Sequence, residues 1–152
     1  MKPSYHIRPF RMSDLDAVMA IERASFGDDA YDRNLFAELF DKCGRLFLVA
    51  AARRGIRAYI VTATAVRRET PRAELISVAV GQAWRGQGIA SSMIRSTLRR
   101  LRLRRVRRFT LAVRMSNQSA QALYAKFGFA RLRRIEGYYD DGEDALVLRK
   151  LL

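Results

Sequence analysis

Apolar residues recur along this chain at two spacings, and the switch from one to the other marks out its elements. Leu15, Val18, Met19, Ile21 and Ala24 fall on one face of a helix. Leu35, Phe36, Leu39 and Phe40 do the same after an interruption at Gly27-Asp28-Asp29-Ala30-Tyr31-Asp32. Ser13, followed by Asp14 and Asp16, predicts the N-cap and acidic first turn of the first helix, and Asp32 predicts the cap of the second. A short strand over Tyr5 to Pro9 precedes this helical pair. Leu46 to Ala52 and Ile56 to Val66 are strand-like runs joined around Arg53-Arg54-Gly55, Pro71 marks the next turn, and Ala73 to Val80 is another strand. Ile89, Met93, Leu98 and Leu101 then give a helix its buried stripe, with Arg95, Arg99 and Arg102 outside. Val106 to Val113 returns to strand spacing. Ser116 predicts the cap of a helix from about Asn117 to Phe127 that Gly128 ends. Phe129 to Ile135 and Ala145 to Leu148 close the chain as an antiparallel pair. The order β-α-α-β-β-β-α-β-α-β-β is α/β, with no internal repeat or low-complexity linker.

Length and composition narrow the class. The 152 residues suit one domain, 1–152, which buries roughly 68–70% of its unfolded surface. Met1 to Phe10 lacks the apolar core of a secretory leader, and no apolar run approaches the ~18 residues of a membrane helix, so a cytoplasmic protein is expected. One cysteine, Cys43, and one histidine, His6, give no basis for a disulfide, a metal site or a Cys-His nucleophile pair, so Cys43 is expected to be a small buried thiol. The formal charge of +14 is uneven: residues 1–44 carry −2, residues 45–135 carry +19 and residues 136–152 carry −3. A basic middle suits an anionic ligand or nucleic acid. Its densest part, Arg99 to Arg108, reads either as a solvated helix end and loop or as a ribosome or RNA contact, and no aromatic residue interleaves it to stack bases. The bias of 25 Arg to 4 Lys also fits a genome preference.

The strand Ala73 to Val80 runs directly into Gly81-Gln82-Ala83-Trp84-Arg85-Gly86-Gln87-Gly88-Ile89-Ala90 and then into a helix. Strand, glycine turn and helix start together leave several backbone N–H groups pointing at one place, which suits an anion. The spacing lacks the Gly-Lys-Ser/Thr of a P-loop and the three glycines of a dinucleotide fingerprint. Arg85-Gly86-Gln87-Gly88-Ile89-Ala90 instead resembles the pyrophosphate-binding signature of the GNAT N-acetyltransferases. The resemblance extends from His6 to Leu152 and implies a GNAT fold, a mixed central sheet of about seven strands flanked by four helices. Ser116-Asn117, Ala122-Leu123-Tyr124, Gly128-Phe129 and Tyr138-Tyr139-Asp140-Asp141-Gly142-Glu143-Asp144-Ala145 are similar to the RimI-like and N-terminal-acetyltransferase branch. The implied cosubstrate is acetyl-CoA, with no metal.

The resemblance also distributes roles. Backbone at Val78, Ala79 and Val80 would hold the pantetheine arm and donate to the thioester oxygen. Arg85, Gly86, Gln87, Gly88, Ile89, Ala90 and Ser91 would hold the pyrophosphate, and Asn117 would contact the cofactor. Tyr124 occupies the position that protonates the leaving thiolate, although a core aromatic has the same spacing. The branch places a Glu or His before Val113-Arg114 as base, and this chain has Ala112 there. Glu74 stands where histone-acetyltransferase-type members carry theirs, and it is open to two readings: base, direct or through water, or ion-pair partner of a nearby arginine. A weak base favours α-amino acceptors, since at neutral pH roughly a tenth or more of an N-terminal amine is uncharged against under a thousandth of lysine. Asp29, Tyr31, Tyr138 and Tyr139 would border the acceptor. The acids at Asp28, Asp29 and 140–144 would attract a cationic amine or simply solvate two loops. Three activities follow: acetylation of a protein N-terminus, including that of a ribosomal protein; acetylation of a lysine or small amine; and a catalytically weak acyl-CoA-binding or ribosome-associated module.

Overall fold

Each predicted periodicity condenses into an element in the computed structural model, which describes residues 4–152. The elements are β1 (Tyr5–Pro9), α1 (Leu15–Phe26), α2 (Arg33–Cys43), β2 (Phe47–Ala52), β3 (Gly55–Arg67), β4 (Thr70–Val80), α3 (Ile89–Leu103), β5 (Arg108–Arg114), α4 (Gln118–Lys126), β6 (Ala130–Ile135) and β7 (Ala145–Leu151). Single 3-10 turns cover Met12–Asp14, Gly27–Asp29, Gly44–Leu46 and Gln82–Trp84. Strand pairing follows the order β1-β2-β3-β4-β5-β7-β6, with β4 and β5 parallel and joined by α3. This is the expected mixed seven-stranded sheet with four helices. The first three residues of the stretch read for a leader lie outside the described residues. No described helix is long and apolar enough to cross a membrane.

The chain divides into two compact units, Met1–Ala63 with Ile76–Arg100, and Thr64–Leu75 with Leu101–Leu152. In the first, β2 is buried through Phe47, Leu48, Val49, Ala50 and Ala51, the continuous apolar run of a strand covered on both faces. One face carries a cluster of rings. Phe10 stacks on Phe47 at 4.1 Å, and Phe36 meets Tyr59 edge-on at 5.7 Å. Each such ring contributes on the order of 1.5–3 kcal/mol by leaving water. Asp32 caps α2 as expected, its carboxylate accepting from Leu35 N at 2.8 Å. Cys43 is buried, which pushes its thiol pKa up.

The start of α1 departs from the sequence reading. Asp14 accepts from Arg11 N at 2.8 Å and from both ends of the Arg8 guanidinium, at 2.7 and 2.9 Å. That tightens Met12–Asp14 into a 3-10 turn with Ser13 inside it, so Ser13 is not the cap. Ala24, expected on the apolar face, is exposed, and Glu22 is buried in the stripe instead.

In the second unit, the turn between β3 and β4 is Arg68-Glu69, not Pro71. Both turn residues have positive φ, 50° and 64°, as a two-residue hairpin requires. Pro71 lies inside β4, where its carbonyl accepts from Arg107 N at 3.1 Å. β5 pairs antiparallel with β7 from Arg108↔Leu151 to Arg114↔Ala145. β6 lies at the edge, pairs only with β7, and is exposed from Ala130 to Arg134. The arginine run sits on the end of α3 and the loop after it, with Arg102, Arg104, Arg105, Arg107 and Arg108 exposed. Arg105 takes φ 60° there, while Val106 N bonds Leu101 O and Arg105 N bonds Arg102 O. This is the Schellman closure of a helix, made with arginine in the position that favours glycine.

Candidate active site

The end of the strand from Ile76, the glycine turn and α3 as far as Arg100 fall in the first unit. Gly81 N donates to Arg57 O at 2.8 Å, and the Arg57 guanidinium lies 3.8 Å over the Trp84 ring. A Cβ on Gly81 would come within 3.2 Å of Trp84 and 3.4 Å of Arg57 O, a tight fit that the indole would have to ease by a few tenths of an ångström. Gly86 and Gly88 have φ of 77° and 79° with nothing within 4 Å of an added Cβ. There the demand is backbone conformation rather than space. The first intrahelical bond of α3 runs from Ser92 N to Gly88 O. The N–H groups of Gly88, Ile89, Ala90 and Ser91 therefore precede the i→i−4 ladder and carry the positive end of α3. Arg85 folds back from this turn, its Nε donating to Val80 O at 3.1 Å and its Nη2 to Ser25 Oγ at 3.2 Å. Gln87 is exposed. Val78 and Val80 are half-buried with Ala79 buried between them, the alternation of a strand whose side chains face both ways.

Asn117 and Tyr124 are set by the two ends of α4 in the second unit. Asn117, not Ser116, is the cap, its side-chain oxygen accepting from Ala120 N at 3.1 Å. Ser116 is engaged by Glu143 instead: its N–H donates to Glu143 Oε2 at 2.8 Å, and its side chain also hydrogen-bonds that carboxylate. At the other end Gly128 N bonds Ala125 O, and Phe129 N bonds Tyr124 O, around Gly128 at φ 85°. This second Schellman closure brings its usual hydrophobic contact: Phe129 meets the Tyr124 ring edge-on at 5.7 Å. Tyr124 is 6% exposed. Burial, with a smaller effect of Tyr139, pushes its phenol pKa up to about 12.

Glu74 is exposed on β4 opposite Thr110 of β5, the last of three register pairs that begin at Arg72↔Arg108. Among the described residues it makes no ion pair with an arginine, so that reading of the residue has no support. Side chains paired in register share a face and alternate along a strand, so Glu74, Thr110 and Ala112 point to one side. Phe109 points to the other, where it packs on Phe129 at 5.4 Å. Tyr124, joined to Phe129, is thus on the opposite face from Glu74.

The expected acceptor residues come together in pairs. Asp29 and Tyr31 lie two residues apart on the segment after α1, and Tyr31 N donates to Glu22 Oε2 at 3.1 Å. Tyr138 and Tyr139 sit edge to face at 5.0 Å in the loop between β6 and β7. Asp141, Glu143 and Asp144 of that loop are occupied internally. Arg114 lies 4.1 Å over the Tyr139 ring and donates to Asp141 at 2.9 Å and to Glu143 at 2.7 Å. Asp144 accepts from Gly137 N at 2.9 Å and from Arg134 at 2.6 Å. The Ser116 hydrogen bond and Arg114 hold Glu143 below the usual carboxylate range, and Gly137 and Arg134 do the same for Asp144. These carboxylates fasten the loop rather than standing ready to attract an amine.

Two groups were not singled out in the sequence. Arg114 is one, and no local spacing marks it, since its partners Asp141 and Glu143 lie 27 and 29 residues further along the chain. The other is Glu22, 1% exposed, whose Oε1 accepts from the hydroxyls of Tyr59 and Ser77. Burial, and then the neighbouring carboxylate, raise the Tyr59 pKa far above its usual value. Among the described residues no three His, Cys, Asp or Glu side chains are placed to hold a metal ion.

This geometry agrees with what the chain resembles. Residues 15–129 match the profile of the acetyltransferase (GNAT) family. The chain is 28% identical over 157 residues to an N-alpha-acetyltransferase of Saccharolobus solfataricus, covering 97% of this chain and 93% of that one. It is 30% identical over 149 residues, 97% of this chain and 96% of the other, to a Bacillus subtilis protein provisionally named ribosomal protein bS18 alanine N-acetyltransferase. The crystal structure of the ribosomal-protein-S18-alanine N-acetyltransferase from Escherichia coli superposes with a TM-score of 0.82 at 26% identity, over 97% of this chain and 93% of that one. Ard1 from Thermoplasma volcanium shares the fold with a TM-score of 0.91 at 24% identity over 99% of both chains.

Proposed function

The chain belongs to the acetyltransferase (GNAT) family, and from that premise we propose that residues 1–152 act as one catalytic domain transferring acetyl from acetyl-CoA to the α-amino group of a protein N-terminus in the cytoplasm. Relatives named for N-terminal acetylation along nearly their whole length support this acceptor. A ribosomal protein N-terminus is the specific candidate that the Escherichia coli and Bacillus subtilis relatives suggest. The observation that carries the reading is Tyr124, a buried ring fixed at both backbone and side chain, with a phenol that keeps its proton.

The residues present fit the cosubstrate. The N–H groups at Gly88, Ile89, Ala90 and Ser91, opened by the positive φ of Gly86 and Gly88, suit the pyrophosphate. The β4 backbone at Val78, Ala79 and Val80, beyond the last β4–β5 register pair, suits the pantetheine amides and the thioester oxygen.

Balance of the reaction assigns the protons. The amine nitrogen bonds the thioester carbon, the carbon–sulfur bond breaks, nitrogen loses one proton and sulfur gains one. Glu74 takes the proton, directly or through water, from the face it shares with Ala112, where the resemblance places the usual base. Tyr124 serves the sulfur from the other face. Giving up its proton outright, from a pKa of about 12 to a thiolate of about 8.5, would be uphill by about 5 kcal/mol. Its role is therefore to donate a hydrogen bond to the sulfur as charge develops there, and CoA leaves as the thiolate and takes its proton from solvent water.

The test is thiol release from acetyl-CoA across short peptides with free N-termini, each paired with an N-terminally blocked, lysine-bearing control. Turnover confined to free N-termini is expected. Equal turnover on blocked peptides would move the acceptor to lysine, and CoA binding without turnover on any amine would refute the enzymatic reading.

A further inference from the structure

Glu22 does work that acetyl transfer as described leaves unassigned. It is among the most deeply buried ionisable groups of the first unit, at 1% exposure, and no cation is among the partners that hold it. Burying a carboxylate costs several kcal/mol unless its lone pairs are met. Here hydrogen-bond donors from three parts of the chain meet them. Oε1 accepts from the Tyr59 hydroxyl on β3 and from Ser77 Oγ on β4 at 3.0 Å, with the two hydroxyl oxygens 3.1 Å apart. Oε2 accepts from the backbone N–H of Tyr31 at 3.1 Å.

That last bond is the informative one. The segment after α1 turns once through Gly27–Asp29, closed by Ala30 N on Gly27 O at 3.0 Å, and Tyr31 then sets its ring edge-on to Phe36 at 6.2 Å. Glu22 thus fastens the loop that carries Asp29 and Tyr31. The same carboxylate holds Ser77, the residue before Val78 on the strand to which the proposed function assigns the pantetheine arm. We propose that Glu22 is a positioning residue that sets the loop carrying Asp29 and Tyr31 in register with the β4 backbone, and so fixes where a peptide N-terminus is presented. The acceptor half of this inference rests on the proposed function. A role as base is poorly served: both oxygens already accept hydrogen bonds, and so deeply buried a group is shut off from an incoming amine.

Hydrogen exchange and steady-state kinetics of Glu22→Ala and Glu22→Gln in the full chain test it. In Glu22→Ala the amides of residues 27–32 should exchange at least about tenfold faster while those of α3 hold, and the peptide KM should rise about tenfold with kcat and the acetyl-CoA KM within about threefold. Glu22→Gln should restore both readouts, because its carboxamide oxygen can accept from Tyr31 N and its nitrogen can donate to the two hydroxyls. If Glu22→Ala does not fold, Tyr59→Phe and Ser77→Ala each remove one donor with little change of shape, and should raise loop exchange by about threefold. Unchanged exchange at 27–32 overturns the inference, as does an equal rise in both KM values. A collapse of kcat in Glu22→Gln would overturn it in favour of a base. Silence of the wild-type protein toward every peptide would count against the proposed function alone, since the exchange measurement needs no acceptor and still decides the anchoring.

Discussion

Replacing Tyr124 with phenylalanine removes one oxygen and should separate chemistry from binding. The ring stays where it is, because the Phe129 contact at 5.7 Å and the Schellman bonds at Gly128 and Phe129 do not involve the hydroxyl. That hydroxyl makes no hydrogen bond among the described residues, so folding stability should change by no more than about 0.5 kcal/mol. What is lost is a hydrogen bond to a sulfur that gains charge only as the carbon–sulfur bond breaks. Such a bond to a charged partner is worth about 1.5–3 kcal/mol, which converts to about a 10- to 150-fold fall in kcat. CoA affinity, measured by calorimetry, should stay within about threefold, since the ground state gains nothing from the bond. The pH profile supplies a second reading. Activity on an α-amine should rise through about pH 7.7–8.0 as the amine loses its proton. It should then stay level past pH 10, because the Tyr124 phenol is pushed up to about 12 from an ordinary 10.0. A variant that loses CoA affinity and turnover in equal measure would refute the role given to Tyr124, and so would a wild-type profile that falls near pH 10.

Further outcomes follow from other parts of the structure. Glu74→Gln should lower kcat about 10²-fold if the carboxylate is the base, and adding Ala112→Glu, on the same face of the neighbouring strand, should recover part of the loss; full activity in Glu74→Gln would remove it from the mechanism. Arg105→Gly should raise the unfolding free energy by about 1 kcal/mol in thermal or urea melts, by relieving a side chain at φ 60° in a helix closure, and a destabilised variant would contradict that account. The Ser116 hydrogen bond and Arg114 depress the Glu143 pKa below 4.5, so its contribution to order in the loop between β6 and β7 is present above that pH and lost as pH falls through the lowered value. Exchange of the amides at 137–143 should therefore accelerate under acid before that of α1, and Glu143→Gln should abolish this early step.

The sequence carried the path of the chain more faithfully than its local chemistry. Helical and alternating spacings located all eleven major elements because burial on one face leaves a period that propensity cannot hide. Asp32 was legible as a cap because nothing competes for it. Ser13 and Ser116 were not, because long-range or neighbouring carboxylates reorganise both helix starts: Asp14 binds Arg11 N and Arg8 and draws Ser13 into a 3-10 turn, and Glu143 binds both the N–H and the side chain of Ser116. The Arg68-Glu69 turn was hidden because it takes positive φ without glycine or asparagine, and Pro71 drew the turn to itself by composition. Glu22 was visible as an acid inside an apolar stripe, three residues after Met19 and four after Val18, but spacing alone cannot tell a sealed carboxylate from a solvated one. The acids at 140–144 were open to two readings, bait for a cationic amine or solvation of a loop, and neither pointed to Arg114, which pairs with Asp141 and Glu143 from 27 and 29 residues earlier in the chain and is brought to them only by the fold.

The exposure of β6 has a bearing on what the edge of this sheet can pair with. An edge strand offers a row of unpaired N–H and C=O groups to any extended chain that meets it, and β6 is the last strand of its sheet. Three of its six residues are Arg131, Arg133 and Arg134, and its pairing with β7 slips between Arg131 and Arg133. A second copy arriving edge to edge would set guanidinium against guanidinium along a strand that is locally out of step. The rim is thereby guarded against growth into a larger sheet, by repulsion that weakens as salt rises and by a kink that salt leaves untouched.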